Sequence, residues 1–378
     1  NWSDLKTGVS FEIRAYNAAN LDGSPLADVD IDTQFVESKT MLIDYYAIAA
    51  SQITGGDGYT CATASSAAYC WGDDGHGAMG NGVDLSSYTQ QLVPKVVVAN
   101  DGFVNTDVST LVTGLGTTCA IEADSLYCWG ENDYGQIGNA TDANTSLPQE
   151  VHSNDGFVNN AVTAVDTYDY TTCAVEGGSV YCWGYNDYGQ IGDESGSATQ
   201  IPVKVHDNAS DGFTNSGITD VATAAESVCA LKGGSVYCWG SDGYGQLGTE
   251  GGGTSSLPVK VHDNASDGFT NTGVTDIDGG QGHYCALKGG SVYCWGEGGD
   301  GELGNDSGSS SDLPVKAVAN DGFTNTAVTA FGIFDYNTCA VEGGSLYCWG
   351  YNDDGQFGID DDSNQNKAVK ALDNADQG

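Results

Sequence analysis

Short apolar runs alternate with turns rich in Gly, Asp and Asn along most of the chain. The runs have the length and composition of β-strands, and none shows the 3.6-residue spacing of an amphipathic helix. One full unit extends from Leu257 to Gly304 and contains about four such runs. The pattern therefore predicts an all-β protein built from four-stranded units.

These units repeat along the chain. The string Cys-Trp-Gly occurs six times, at intervals of 54 to 58 residues, starting at Cys70, Cys128, Cys182, Cys238, Cys294 and Cys348. A four-stranded unit of this length that recurs is typical of a propeller blade. The alternative is a linear β-solenoid, whose coils are usually shorter. We therefore predict a β-propeller of six or seven four-stranded blades.

The two ends of the chain suggest how the ring closes. Residues 367–372 copy the strand that opens the unit at Leu313–Val318, whereas the first unit lacks a clear copy of that strand. Pairing of the N- and C-terminal strands would supply it and would remove two exposed sheet edges. We expect this closure within a propeller domain of residues 35–378.

Residues 1–34 lie outside the repeats and form a strand-rich extension. Val9–Tyr16 and Ala27–Val36 alternate between apolar and polar residues, as strands do. The extension is a hairpin, a part of a seventh blade or a strand donated to a neighbouring molecule, and these three alternatives stay open.

The cysteines form six Cys-x8-Cys pairs. In the pair Cys229 and Cys238, the central Gly-Gly is a natural two-residue hairpin turn. Counting outward from it places the two cysteines opposite each other at a non-hydrogen-bonded site, with Cα atoms about 4.5 Å apart, close enough for a disulfide. The predicted bridges are Cys61–Cys70, Cys119–Cys128, Cys173–Cys182, Cys229–Cys238, Cys285–Cys294 and Cys339–Cys348.

The disulfides bear on location and on metal binding. Six bridges indicate an oxidising compartment, so we expect an extracellular or cell-surface protein. Zinc is the competing interpretation of paired cysteines, but zinc sites usually space them by two to four residues. We therefore predict no metal ion at these cysteines.

The repeat resembles a known family. Residues 280–296, followed by Gly301–Gly304, are similar to the repeat of the regulator of chromosome condensation family, as are the Gly-Gln-Ile-Gly endings at 135–138 and 189–192. The resemblance implies a β-propeller, usually of seven blades, whose faces bind protein partners. It does not by itself fix a function, because one fold serves many functions.

Charge excludes several kinds of partner. The chain has 52 acidic and 11 basic residues, a net charge of −41. Nucleic acid and anionic membrane surfaces would repel it. No apolar run approaches the roughly 18 residues that a membrane span needs, so we expect neither nucleic acid nor direct membrane insertion.

No arrangement of residues indicates catalysis. The glycine-rich strings do not precede a helix, as phosphate binding requires, and no Gly-x-Ser-x-Gly elbow is followed by one. We predict a non-enzymatic protein without a cofactor. Calcium at Asp360–Asn366 or Asp207–Gly212 is the alternative to the favoured interpretation, in which these residues form turns.

Two sets of loop residues are candidate sites. Sequons suited to glycosylation in the repeats begin at Asn139, Asn144, Asn208, Asn264 and Asn305. In four of the six units, the loop after Trp-Gly carries tyrosines at its first or fourth position, namely Tyr134, Tyr188, Tyr244, Tyr185 and Tyr351. Equivalent loops meet on one propeller face, so these rings either form a partner-binding face or pack on neighbouring blades.

Together these features predict a secreted or cell-surface β-propeller that acts by protein–protein contact. The spare segment 1–34 favours a self-associating structural subunit, as in a surface layer, stalk or filament, through strand addition. A secreted inhibitor or receptor-like binder, and a carbohydrate-binding propeller, are the alternatives.

Overall fold

A computed structural model describes residues 50–83, 85 and 90–372, so the predicted extension 1–34 lies outside the described residues. Within them the chain forms six sheets of four antiparallel strands and no helix. This confirms the all-β propeller prediction, and we call each sheet a blade.

The blades follow one another along the chain. Blades 1 to 3 contain β1 (Ala50–Gly55), β2 (Tyr59–Ala64), β3 (Ala67–Asp73), β4 (Gln90–Val96), β5 (Val108–Thr113), β6 (Thr117–Glu122), β7 (Ser125–Gly130), β8 (Thr145–Glu150), β9 (Val162–Tyr168), β10 (Thr171–Glu176), β11 (Ser179–Gly184) and β12 (Thr199–Lys204). Blades 4 to 6 contain β13 (Ile218–Thr223), β14 (Ser227–Lys232), β15 (Ser235–Gly240), β16 (Ser255–Lys260), β17 (Val274–Gly279), β18 (His283–Lys288), β19 (Ser291–Gly296), β20 (Ser311–Lys316), β21 (Val328–Phe334), β22 (Asn337–Glu342), β23 (Ser345–Gly350) and β24 (Gln365–Lys370). Each blade thus uses four consecutive strands.

This order divides the loops between two faces. Because neighbouring strands are antiparallel, the turn after a blade's first strand and the long loop after its third strand lie at the same end. We call that end the upper face. The hairpin after the second strand and the linker to the next blade lie at the opposite end, the lower face.

All six predicted disulfides are present. In blade 4, Cys229 lies opposite Cys238 with a Cα–Cα distance of 4.0 Å. Gly233 and Gly234 have φ angles of +55° and +79°, as the predicted two-residue turn requires. The other bridges are Cys61–Cys70, Cys119–Cys128, Cys173–Cys182, Cys285–Cys294 and Cys339–Cys348.

The hydrophobic cores lie between blades rather than within them. The core between blades 2 and 3, for example, combines Cys119 and Ile137 of blade 2 with Val165 and Trp183 of blade 3. The tryptophan of the Cys-Trp-Gly string is fully buried at five such boundaries, as Trp129, Trp183, Trp239, Trp295 and Trp349. Blades 2 to 6 are therefore each stabilised by the blade before them.

The boundary between blades 6 and 1 differs from these five. Trp71 of blade 1 is only partly buried. On blade 6, Cys339, Cys348 and Phe357 form a small cluster that contains no residue of blade 1 among those the structure describes. We call this incomplete boundary the seam.

The expected pairing of the N- and C-terminal strands is wrong for the described strands. The C-terminal strand, β24, pairs with β23 of its own blade, and Val369 lies opposite Cys348. Blade 1 has its own fourth strand, β4, which pairs with β3. Its sequence contains Leu-Val-Pro-Lys instead of Leu-Pro-Val-Lys, so matching to the other repeats does not detect this strand.

Candidate functional site

The upper-face loop of blade 2, residues 131–144, is held by side-chain amides. The Asn132 Oδ1 atom accepts a hydrogen bond of 2.9 Å from the Ile137 amide, and its Nδ2 donates to the Thr141 carbonyl, also at 2.9 Å. Gln136 Oε1 accepts from the Tyr134 amide at 3.0 Å. These bonds satisfy the polar backbone of a loop without regular structure and fix the position of Tyr134.

Blade 3 anchors this loop from below. The Thr172 hydroxyl donates a hydrogen bond of 2.8 Å to the carbonyl oxygen of Gln136, which also accepts the indole N–H of Trp183. Residues 185–198 form the equivalent loop in blade 3, where Asn186 and Gln190 bond to the Ile191 and Tyr188 amides. The two loops therefore project their tyrosines from rigid supports.

Four tyrosines from these two blades come together on the upper face. Tyr134 has its ring centroid 4.8 Å from that of Tyr170 and 5.0 Å from that of Tyr185. Tyr185 lies 6.3 Å from Tyr188. Although these rings contact one another, 41% of Tyr134 and 37% of Tyr188 stay exposed. We call these four residues the tyrosine cluster.

The structure unites only some of the tyrosines that the sequence singles out. Tyr134, Tyr185 and Tyr188 meet in the cluster, whereas Tyr351 lies in blade 6 beside Tyr336, at 6.4 Å. Tyr244 is 51% exposed and has no aromatic contact among the described residues. The rings of Tyr134 and Tyr185 therefore pack across neighbouring blades, as one interpretation expects, while Tyr134, Tyr188 and Tyr244 remain accessible to solvent.

Sequence reasoning missed Tyr170 and Tyr336. Both follow an aspartate in the turn after the first strand of their blades, at Asp169-Tyr170 and Asp335-Tyr336. The shared Asp-Tyr dipeptide at one repeat position was the available signal. These turns also lie on the upper face. Each group of tyrosines therefore combines side chains from a long loop with one from a turn that follows the first strand of a blade.

Carboxylates surround the tyrosine cluster. Burial, reinforced by the charges of Glu131 and Glu226, raises the pKa of Asp169 to about 7. Burial also raises the pKa of Glu131, an effect that His76 offsets and Asp133 reinforces. The two cluster loops, residues 131–144 and 185–198, contain neither Lys nor Arg. This part of the surface is therefore aromatic and strongly acidic.

A groove adjoins the cluster. It has a volume of about 430 Å³ and lies between blades 2 and 3, lined by Asp133, Tyr134 and Asp142 on one side and by Gln200 and Ile201 on the other. The groove thus presents one aromatic ring, two carboxylates and the aliphatic side chains of Ala140, Ala198 and Ile201.

A second cavity lies among the first strands of blades 1 to 5. Its volume is about 360 Å³, and its lining is mainly hydroxyl and carboxyl groups, including Thr110, Asp166 and Asp278. Burial raises the pKa of Asp166, which accepts hydrogen bonds from the Thr223 amide and hydroxyl at 2.7 and 2.8 Å. These hydrogen bonds connect blades 3 and 4, so the Asp166 carboxylate has a structural role.

The buried histidine also has a structural position. His283 Nε2 lies 3.0 Å from the Thr338 hydroxyl of the next blade, and burial lowers the pKa of the imidazole to about 3. The ring is therefore neutral at physiological pH. No group of three or more His, Cys, Asp or Glu side chains in the described part of the chain is arranged to hold a metal ion.

The sequons differ in accessibility. Asn208 and Asn264 are 9% and 8% exposed, and their amide nitrogens donate to the carbonyls of Pro258 and Pro314, so a glycan on either would break a buried contact. Asn139, Asn144 and Asn305 are half-buried in upper-face loops and remain candidates. No helix among the described residues is long and apolar enough to cross a membrane.

Comparison with known proteins identifies the repeat. The profile of the Regulator of chromosome condensation (RCC1) repeat matches residues 124–175, 177–231, 233–287 and 289–332. The chain is 28% identical over 237 residues to the E3 ubiquitin-protein ligase HERC2 of Homo sapiens, covering 62% of this chain and 5% of that protein. It is 24% identical over 310 residues to the Ultraviolet-B receptor UVR8 of Arabidopsis thaliana, covering 80% of this chain and 64% of the receptor.

Two solved structures have a similar fold. Human WBSCR16 superposes with a TM-score of 0.71 at 20% identity, covering 85% of this chain and 82% of its own. Prp20p from Saccharomyces cerevisiae gives a TM-score of 0.70 at 17% identity, covering 87% and 78%.

Proposed function

Because the chain belongs to the regulator of chromosome condensation (RCC1) repeat family, we propose that it is a non-catalytic β-propeller that binds other proteins through its upper face. The observation that carries this proposal is the tyrosine cluster, whose rings are fixed by the loops and still exposed. Tyrosine combines a large apolar ring with a hydroxyl and is enriched where protein interfaces gain most of their energy.

The family supports protein binding as the general mode. Yeast RCC1 (Prp20) has been crystallised with Kap60, and Prp20p from Saccharomyces cerevisiae has binding properties towards Gsp1p and histones. Those partners are properties of those proteins. For this chain we take from them only that a propeller of this kind has protein partners.

The proposed location is outside the cell or at its surface. Six disulfides, one in each blade, favour an oxidising compartment. No cysteine in the described part of the chain is left free, as redox sensing by thiols would require.

Substitution of the exposed rings tests the proposal. We expect the triple variant Tyr134→Ser/Tyr188→Ser/Tyr244→Ser to lose at least tenfold in the capture of protein from the native medium. The matched control is Val104→Ser/Val158→Ser, which removes exposed apolar side chains (61% and 56% exposed) from the lower face. Equal capture by both variants would contradict binding through the upper face.

Self-association is a second candidate, which the seam favours. Blade 6 exposes Gln356 and leaves Leu346, Ile359 and Val369 partly buried, whereas Gln136, at the repeat position of Gln356, is fully buried. On blade 1, Trp71 is likewise only partly buried. Two such partly buried faces in one chain allow copies to join head to tail, and such contacts form rings or filaments.

Sedimentation of the full chain tests this candidate. If copies join at the seam, the sedimentation coefficient rises with concentration, and Ile359→Asp, which places a charge in the apolar half-core, abolishes the rise. Asp360→Asn is the neighbouring control because residue 360 is exposed. A monomer at all concentrations, destabilised by Ile359→Asp, would show that the chain covers its own seam and would contradict self-association there.

A further inference from the structure

We propose that the tyrosine cluster binds a cationic segment of its protein partner, with Lys or Arg side chains lying over the rings and paired with the surrounding carboxylates. This inference rests on the proposed function and names the chemistry of the partner.

The first support is the arrangement of the rings. Tyr134 and Tyr185 meet with their planes inclined at 69°, so at this contact an edge of one ring points towards the face of the other. Tyr134 is nevertheless 41% exposed. An exposed tyrosine face carries negative charge density and attracts a Lys ammonium or an Arg guanidinium placed within about 6 Å of the ring centroid.

The second support is the position of the carboxylates beside the rings. The Tyr185 hydroxyl donates a hydrogen bond of 3.0 Å to Asp187 Oδ2, which fixes one carboxylate at the edge of the cluster. Asp133 lies in the groove next to Tyr134. On the other side, the charge of Glu226 is the main cause that raises the pKa of Tyr188. A cation over the rings would therefore meet negative charge from several directions.

The third support is that the two loops of the cluster, residues 131–144 and 185–198, supply no cation to compensate this negative charge. The cluster loops contain no Lys or Arg, and His76 is the group that offsets the raised pKa of Glu131. Neighbouring carboxylates raise one another's pKa because their negative charges repel, and a bound cation reduces that repulsion. The same charges would repel anionic partners, so nucleic acid and acidic peptides fit this surface poorly.

A carbohydrate is the other ligand that stacks on exposed aromatic rings. A neutral glycan would gain from the rings but would leave the carboxylates of Asp133, Asp187 and Glu226 without a counter-charge. The observations thus favour a cationic peptide over a neutral sugar, and glycan binding is an outcome of the test below.

The test measures binding of the full chain to a fluorescent peptide of alternating Lys and Gly residues by anisotropy. A peptide with Ser in place of Lys is the probe control. We expect the Lys peptide to bind, Asp133→Asn/Asp187→Asn to weaken binding at least tenfold, and Tyr134→Ser/Tyr185→Ser to weaken it to a similar extent. We also expect binding to weaken as salt rises.

A charge-matched control separates the site from the overall charge of −41. Asp107→Asn/Asp124→Asn removes two exposed carboxylates from the lower face, and we expect less than a twofold change. Equal weakening by both aspartate double variants would overturn the proposal, because binding would then reflect total charge. Binding of a neutral glycan, with no response to the Lys peptide, would overturn it as well.

The same material distinguishes this inference from the proposed function. Suppose that the tyrosine variants no longer capture a partner, but that the Lys peptide does not displace this partner from the unmodified chain. The cationic inference is then wrong, and protein binding at the upper face stands. If the tyrosine variants capture as well as the unmodified chain, the proposed function itself is wrong.

Discussion

The indole Nε1 of Trp183 donates a hydrogen bond of 2.8 Å to the main-chain carbonyl oxygen of Gln136. This bond joins the third strand of blade 3 to the loop of blade 2 that presents Tyr134. The other buried tryptophans make the same bond to the preceding blade, in the pairs Trp129–Ala78, Trp239–Gln190, Trp295–Gln246 and Trp349–Glu302. One contact thus holds the blades together and supports the candidate site.

Replacing this tryptophan tests its contribution to stability. We expect Trp183→Phe to lower the free energy of unfolding by about 2–3 kcal/mol, because the variant loses a buried hydrogen bond and leaves a small cavity. Trp71→Phe is the control at the same repeat position, where the side chain is only partly buried. We expect that variant to lose less than about 1 kcal/mol in urea unfolding. Equal losses would contradict the inter-blade role.

A buried asparagine in the linkers between blades gives a second prediction. Asn159 has a φ of +60°, accepts a hydrogen bond from the Leu126 amide and donates to the carbonyls of Leu126 and Val151. We expect Asn159→Ala to lower the free energy of unfolding by about 3 kcal/mol, since buried polar groups lose partners and alanine disfavours a positive φ. The exposed neighbour is the control, and Asn160→Ala should change little in the same denaturation assay.

Removing one disulfide gives a third prediction. Each bridge closes a loop with a sequence separation of 9 residues. For a loop this short we expect Cys229→Ala/Cys238→Ala to lose about 2–3 kcal/mol. Thermal unfolding should show a lower Tm in the variant, and a reductant should lower the Tm of the unmodified chain further. No response to complete reduction would contradict a stabilising role.

The carboxyl group of Glu302 predicts a specific pH dependence. Burial raises its pKa to about 7, so its stabilising contribution is complete below about pH 4.5 and is lost as the pH rises through 7. Four of its five repeat equivalents, among them Gln246, are glutamines, and the fifth is Ala78. We therefore expect Glu302→Gln to be more stable than the unmodified chain by roughly 2 kcal/mol at pH 8.5 and equally stable at pH 4.

The reverse substitution is the control for that prediction. Gln246→Glu places a carboxyl group at the equivalent buried position of blade 4, and we expect it to lose stability above pH 7 while matching the unmodified chain at pH 4. Parallel stability–pH curves for all three proteins would contradict the assignment to Glu302.

How far sequence predicts this molecule depends on the range of the interactions involved. The hairpin that brings Cys229 opposite Cys238 is local, so counting from the turn suffices. Closure of the ring depends on strands that are far apart in the sequence. Comparison of the repeats assigns the terminal strand β24 to the wrong blade, because β4 contains Leu-Val-Pro-Lys in place of Leu-Pro-Val-Lys. The order of the strands within a blade follows from the repeat, but the incomplete core at the seam does not.

The candidate site shows the same limit. Equivalent loop positions correctly place Tyr134, Tyr185 and Tyr188 on one face. Tyr170 comes from a different turn, and its contact with Tyr134 depends on how neighbouring blades are rotated about the axis. Tyr244 has no aromatic neighbour among the described residues, because blade 5 has Gly282 and Glu297 at the repeat positions of Tyr170 and Tyr185.

Photo-crosslinking in the native medium tests most directly whether the upper face binds a protein. A photoreactive phenylalanine analogue at position 134 would lie in the tyrosine cluster, and the same analogue at position 158, where Val158 is 56% exposed, would report on the lower face. Binding through the upper face predicts a discrete covalent adduct with another protein from position 134 and none from position 158. No adduct at position 134, or the same adduct from both positions, would contradict it.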